Sequence, residues 1–176
     1  MRAAFLSALA LTACVTAPRP APEPPPFVLR LTPASLGREV SLSQRITLVR
    51  EGARQSFDAL LEVDASAVRV ALLGAGQTLG SLTWDGERFT RKASAFVPQA
   101  VTAERIITDI ELAFWPEDAV RAGLPEGFAL TEREGRRELS LGGEPFATVT
   151  WDAGHRRVVL TQHRFGYVLE IESVDA

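Results

Sequence analysis

The sequence predicts a mainly β fold of the α+β class: a curved antiparallel sheet of about ten or eleven strands, covered by one or two helices. Apolar and polar residues alternate along most of the chain from residue 40 to residue 174. Glycine-containing turns separate the alternating segments, which indicates short connections. Only one stretch, between Pro98 and Pro125, has the three- and four-residue spacing of a helix instead.

The strands are predicted from segments with one apolar face. Phe57, Leu61 and Val63 alternate with Asp58 and Glu62, which is the period of two that a half-buried strand requires. The same alternation recurs in the segments 68–72, 158–162 and 165–172. Because glycine allows the positive backbone angles of tight hairpins, we expect antiparallel neighbours around the turns. These turns are Gly74-Ala75-Gly76, Asp85-Gly86, Gly142-Gly143 and Asp152-Ala153-Gly154.

One amphipathic helix interrupts the strands. Its predicted apolar face consists of Ala103, Ile106, Ile107, Ile110, Ala113 and Phe114, and its polar face of Glu104, Arg105, Thr108, Asp109 and Glu111. Thr102 is a candidate cap, and Pro116 favours an end near Trp115. A second short helix is predicted from Pro116 to Gly123. We interpret Asp109 as a surface ion-pair partner of Arg105 rather than a catalytic carboxylate.

The N-terminus has the features of a signal peptide. Arg2 precedes an apolar run that is much shorter than the roughly 20 residues of a membrane span. Leu11-Thr12-Ala13-Cys14 resembles a bacterial lipobox, which implies that residues 1–13 are removed and that Cys14 receives lipid chains. The alternative is an ordinary secretory signal with an incidental cysteine. Val15 stands where an Asp would retain a lipoprotein in the inner membrane, so we expect the periplasmic face of the outer membrane.

Residues 14–26 are predicted to be a lipidated tether, and residues 27–176 a single domain. Six of the chain's 11 prolines lie in this segment. Such a segment cannot pair strands or form a helix, and proline-rich linkers extend at about 3.1 Å per residue. The remaining residues are enough for one ordinary domain with a core of its own.

Composition and motifs exclude several classes of function. The chain has 19 Lys and Arg against 22 Asp and Glu, and Arg136-Arg137 and Arg156-Arg157 are interpreted as solvated pairs, so we expect no nucleic-acid partner. With Cys14 lipidated, no thiol remains for a disulfide, a metal site or a nucleophile. His155 and His163 lack metal-ligand spacing, and motifs for nucleophilic catalysis or phosphate binding are missing. We therefore expect no enzyme activity, no cofactor and no metal.

A family resemblance covers most of residues 40–174. It is carried by the helix segment 109–116 (DIELAFWP), together with Ser56-Phe57, the segment 60–63 (LLEV) and the segment 76–79 (GQTL). These motifs resemble a LolB-like family of outer-membrane lipoproteins that is often associated with aryl polyene biosynthesis clusters. The resemblance implies the half-barrel of LolA and LolB, an unclosed antiparallel barrel whose apolar concave face is covered by helices. LolB delivers lipoproteins with a protruding loop and an exposed leucine, whereas the comparable turn here presents only Ala75. Lipid binding is therefore expected, and direct lipoprotein insertion is not.

An unclosed half-barrel either fills its interior with side chains or accommodates an apolar ligand. Our candidates for lining such a cavity also suit a plain core: Phe57, Leu61, Val70, Leu72, Ile106, Ile110, Phe114 and Leu169. Two hypotheses follow. The protein binds or transfers an apolar ligand (a lipid, a lipoprotein acyl chain or a polyene lipid), with a periplasmic carrier protein as a further partner. Alternatively, it is a non-catalytic structural lipoprotein with a filled core that docks other envelope proteins.

Overall fold

A computed structural model of the protein describes residues 27–74, 77–93 and 102–176, and its main element is one ten-stranded antiparallel sheet. The ten strands are β1 (Val40–Arg50), β2 (Ala53–Val63), β3 (Val68–Gly74), β4 (Gln77–Trp84), β5 (Phe89–Ala93), β6 (Phe128–Arg133), β7 (Arg136–Leu141), β8 (Glu144–Trp151), β9 (Arg157–Gln162) and β10 (Tyr167–Asp175). The two helices are α1 (Ala103–Phe114) and α2 (Glu117–Gly123), and one short 3-10 turn spans Pro33–Leu36.

The strand order is β5-β4-β3-β2-β1-β10-β9-β8-β7-β6. The first and last strands pair at the centre, where Ile46 lies opposite Ile171, so each half of the chain builds one wing of the sheet. β5 and β6 form the two outer edges, and the curled sheet stays open. Gly142 and Gly143 have positive φ angles of 60° and 89° in the β7–β8 turn, as tight turns require. The predicted fold class is thus confirmed.

Both helices begin and end close to the predicted residues. The Thr102 hydroxyl caps α1 by accepting a hydrogen bond of 3.2 Å from the backbone N–H of Arg105. Trp115 follows the last residue of α1, and its extended backbone leads into Pro116, the residue before α2. The proline rules therefore give the correct helix boundaries.

The segment from Phe27 to Leu36 forms a layer that the sequence did not predict. It runs beside α1, because the Leu29 N–H donates to the Thr108 hydroxyl at 3.1 Å and the Leu31 N–H donates to the Glu111 carboxyl at 3.0 Å. On its other side, the Trp84 indole N–H donates to the Leu31 carbonyl at 2.8 Å. This segment, which we call the N-terminal strap, therefore joins α1 to β4 of the sheet.

The predicted solvent-facing side of α1 is wrong for three residues. Thr108, Asp109 and Glu111 are 1%, 6% and 0% exposed. The strap covers Thr108 and Glu111, while Asp109 points to the sheet and not to an ion pair with Arg105. Helical spacing identifies the apolar face of a helix. It does not show whether another segment packs on the polar face and supplies hydrogen-bond partners there.

The interpretation of the arginine pairs holds for Arg136, Arg156 and Arg157, which are exposed, and is wrong for Arg137. Arg137 is 3% exposed and donates hydrogen bonds to the carbonyls of Leu112 (2.6 Å) and Trp115 (2.8 Å). Glu132 balances its charge at 2.6 Å. Arg137 therefore caps the C-terminus of α1, where free carbonyls and the helix dipole attract a cation.

Several predictions lie outside the described residues. They are the signal peptide 1–13, the tether 14–26 with Cys14, and the turn residues Ala75 and Gly76. Among the helices of the described ranges, none combines the length and apolarity that crossing a membrane requires.

Candidate functional site

The concave face of the sheet is filled at one end and open at the other. At the filled end, Val63, Val68 and Trp84 are opposite one another on β2, β3 and β4 and are at most 3% exposed. The other end, where the β1–β2 and β9–β10 turns lie, is called the open end here. Because the strands alternate, the register identifies which side chains share the concave face at this end.

Four half-buried apolar residues form a continuous patch at the open end. Ile46 is opposite Phe57, and Leu48 is opposite Leu169, on the adjacent strands β1, β2 and β10. All four are only partly covered. We call this group of Ile46, Leu48, Phe57 and Leu169 the open patch.

A narrow slot separates the N-terminal half of α1 from the wing formed by β3, β4 and β5. Val70, Leu72, Leu82 and Ile106 form its apolar walls, and Arg91 and Lys92 stand at its rim beside Gly80 and Ser81. The cavity between them is about 20 Å³, enough for about one water molecule. Ile106 of α1 forms one wall of the slot, so a larger guest requires that the slot widens.

The eight predicted cavity residues fall into two groups. Leu61, Val70 and Phe114 belong to the buried core, whereas the others are half-buried: Phe57, Leu72, Ile106, Ile110 and Leu169. Val70, Leu72 and Ile106 meet at the slot, while Phe57 and Leu169 belong to the open patch. Phe114 follows Ile106 by about 12 Å along the helix and does not join this group. Contact of these residues with a ligand stays a prediction.

Asp109 fastens the middle of α1 to the sheet. Its carboxylate accepts hydrogen bonds of 2.5 Å from the Gln162 amide on β9 and 2.5 Å from the Tyr167 hydroxyl on β10. Burial raises the pKa of Asp109 to about 6, and these two donors limit the rise. Burial and the neighbouring carboxylate likewise raise the pKa of Tyr167. Sequence reasoning missed this cluster because Gln162 and Tyr167 are more than fifty residues from Asp109 along the chain.

Glu111 is the second buried carboxyl group of α1. One of its oxygens accepts the Leu31 N–H, and the other has no partner among the described residues. Burial raises the pKa of Glu111 to about 9, so this side chain is a neutral carboxylic acid at neutral pH. The hydrogen bond from the Leu31 N–H to Glu111 binds the strap to α1. Glu111 lies on the side of the helix away from Asp109.

An aromatic cluster marks the point where the described chain begins. Phe27 stacks on Phe128 with ring centres 4.5 Å apart and contacts Phe146 edge-on at 5.2 Å. Phe165, in the β9–β10 turn, packs against Phe146, and the Arg105 guanidinium lies 3.1 Å from the centre of the Phe165 ring. Phe27 is therefore at the same end of the molecule as the open patch.

The described residues contain no group of three or more His, Cys, Asp or Glu that could hold a metal ion. The cluster of Asp109, Gln162 and Tyr167 contains one carboxylate, one amide and one phenol, which together position α1. The geometry offers an apolar surface that α1 partly covers.

A family model matches residues 41–175, nearly the whole of the sheet and both helices. The chain belongs to the family described as "Protein of unknown function (DUF3261)". Curated proteins give no match to the chain.

Two solved structures are similar to this member of the family in fold. A LolA superfamily protein from Nitrosomonas europaea is 8% identical, with 78% of this chain and 84% of that chain covered and a TM-score of 0.39. A DUF1329 family protein from Desulfovibrio piger is 9% identical, with 81% and 87% covered and a TM-score of 0.29. At such low identities, neither similarity bears on ligand or location.

Proposed function

We propose that the protein is a lipoprotein of the outer membrane, facing the periplasm, that binds or transfers an apolar ligand at the open end of its concave face. The observation that carries this proposal is the open patch, since four apolar side chains on adjacent strands remain half-buried on the concave face. Concave and mostly apolar surfaces of this kind are the usual sites for small apolar ligands.

The way in which α1 is attached supports a movement of the helix that lets a ligand take its place on the concave face. Its C-terminal half is fixed by buried contacts: Arg137 caps it, and Glu111 binds the strap. Its N-terminal half has the half-buried contact of Arg105 with Phe165, and the buried Asp109 cluster lies at the middle of the helix. We infer that the N-terminal half, with Ile106, swings out of the slot while the C-terminal half acts as the hinge.

The position of Phe27 supports the link to a membrane. If Cys14 is lipidated, the tether 14–26 joins the domain at Phe27, which lies at the open end. The open patch is then on the side of the domain nearest its anchor, where lipids, lipoprotein acyl chains and polyene lipids are found. A periplasmic carrier protein is the partner that would bring such a ligand.

One observation favours a second function, that of a structural lipoprotein that docks other envelope proteins. The slot under α1 has a volume of only about 20 Å³, so the interior beside Ile106 is nearly filled. In that case, the half-buried residues of the open patch serve packing alone.

Two measurements test the proposal. Organic extracts of the full chain carrying Cys14→Ala, analysed by mass spectrometry, should contain a bound lipid, and the emptied protein should take up a fluorescent fatty acid. Repeated recovery of protein without lipid and without uptake would favour the structural alternative. For the anchor, wild-type protein should partition with outer-membrane vesicles and Cys14→Ala should not; equal partitioning of both would overturn the lipidation.

A further inference from the structure

Arg91 on the edge strand β5 stands beside the slot. Arg91 pairs with Leu82, and Leu82 pairs with Val70, so the three side chains share the concave face. Arg91 is exposed and lines the same cavity as Leu72 and Ile106. Its neighbour Lys92 pairs with Ser81, so the Lys92 side chain starts on the opposite face of the strand. The slot is thus amphipathic, with aliphatic walls and a positively charged edge.

These two charges have no carboxylate beside them in the described part of the chain. Other arginines of the sheet form ion pairs, for example Arg45 with Asp58, Arg54 with Glu170 and Arg157 with Glu172. Among the described residues, no ion pair within 4.0 Å includes Arg91 or Lys92. The stretch 94–101 that follows β5 contains neither Asp nor Glu in its sequence. The rim therefore has an unbalanced positive charge next to an apolar surface.

We propose that the ligand is an anionic amphiphile, whose carboxylate or phosphate binds the Arg91 guanidinium while its tail lies in the slot. This inference rests on the proposed function and narrows it to one class of ligand. Charge-assisted hydrogen bonds from a guanidinium group suit such a head group. The tail replaces Ile106 against Leu72 and Leu82 and continues toward Phe57.

The dimensions of the concave face agree with one acyl chain. β5 and β2 are three strand spacings apart, about 14 Å, and the register aligns Arg91 with Leu61, which lies about 13 Å along β2 from Phe57. Arg91 and Phe57 are therefore about 19 Å apart. One acyl chain spans roughly 15 Å, since the hydrocarbon core of a bilayer is about 30 Å thick. A tail with its head group at Arg91 thus runs toward the open patch and ends about 4 Å before Phe57.

A pair of probes separates the head group from the tail. Fluorescence titrations with cis-parinaric acid and with its uncharged methyl ester are performed on the full chain carrying Cys14→Ala. The test variant adds Arg91→Gln. The matched control adds Lys92→Gln, which removes the same charge from the opposite face of the same strand.

We expect the test variant to bind the acid about fivefold more weakly, the effect of losing one exposed ion pair, and to bind the ester as the parent does. The control should bind both probes like the parent. Equal loss for acid and ester, or no loss for either, would overturn the head-group proposal and leave apolar binding intact. If the parent binds neither probe, the proposed function itself fails.

A competition arm distinguishes an amphiphile from a free anion. Inorganic phosphate and acetate, at matched ionic strength, should not displace cis-parinaric acid, because they lack the tail that occupies the slot. Displacement by either small anion would show that the rim is a site for free anions and would contradict the amphiphile assignment.

Discussion

The Tyr167 hydroxyl donates a hydrogen bond of 2.5 Å to the Asp109 carboxylate and so joins the middle of α1 to the last strand of the sheet. Gln162 completes the contact from the neighbouring strand. The cover of the concave face is therefore held by a buried carboxylate with a pKa of about 6. The strength of this attachment should depend on pH in the acidic range.

Asp109→Asn should flatten the dependence of stability on pH. The folded protein binds the Asp109 proton more tightly than the unfolded chain does, because the pKa is raised from 3.8 to about 6. This group thus favours the folded state at low pH, and its contribution of about 3 kcal/mol is lost as the pH rises from about 4 to about 6. Urea unfolding across this range measures the difference between wild type and D109N. The exposed Glu126→Gln should keep the wild-type slope, and a D109N profile with that same slope would contradict the role of Asp109.

Thr108→Val should loosen the strap. Valine has nearly the same shape, but it leaves the buried Leu29 N–H without an acceptor, which costs about 1 to 3 kcal/mol. Thr131→Val on the exposed side of β6 is the control and should stay within about 0.5 kcal/mol of wild type. Chemical denaturation measures both. Equal stability of the two variants would show that the strap is not bound through this bond.

Arg137→Met should be strongly destabilising. It removes the donors to the carbonyls of Leu112 and Trp115 and leaves Glu132 without its partner. Breaking a buried ion pair from one side costs about 3 to 5 kcal/mol. The exposed neighbour Arg136→Met is the control, and thermal unfolding of both variants measures the contrast. A small loss for R137M would mean that the C-terminus of α1 needs no cap.

Gly123→Ala tests how tightly α2 packs on the strap. A β-carbon at Gly123 would clash with the Leu31 Cδ2 atom and lie 3.2 Å from the Leu29 Cδ1 atom, so buried side chains must shift. Overpacking of this kind costs about 1 to 3 kcal/mol. Gly154→Ala, where the nearest atom is 3.8 Å away, should be close to neutral. If calorimetry gives the two variants the same melting temperature, the strap is not packed against α2.

The strands and helices were predictable because their signals are local. A period of two identified the concave residues Phe57, Leu61, Val70 and Leu169, and Thr102 and Pro116 fixed the ends of the helices. Only the structure shows which of these residues stay half-buried, because their burial depends on where α1 crosses the sheet.

The strap and the buried charges were not predictable from local patterns. Leu29 binds Thr108 across 79 positions of sequence, and Asp109 and Tyr167 are 58 positions apart. A polar residue on an amphipathic helix usually faces solvent, so Asp109 was assigned to the surface, and Arg137 was assigned to the surface as one of a pair of charges. Their burial follows from partners that only the tertiary fold brings close.

The most direct test of the central claim is the affinity of the unlipidated full chain for a fluorescent fatty acid after the concave face is blocked. Leu169→Trp fills the open patch, whereas Val168→Trp adds the same bulk on the opposite face of β10. We predict that L169W binds the probe at least about tenfold more weakly, roughly 1.4 kcal/mol, while V168W binds like the parent. Equal affinities of the two folded variants, or a parent that binds no fatty acid, would contradict a ligand site on the concave face.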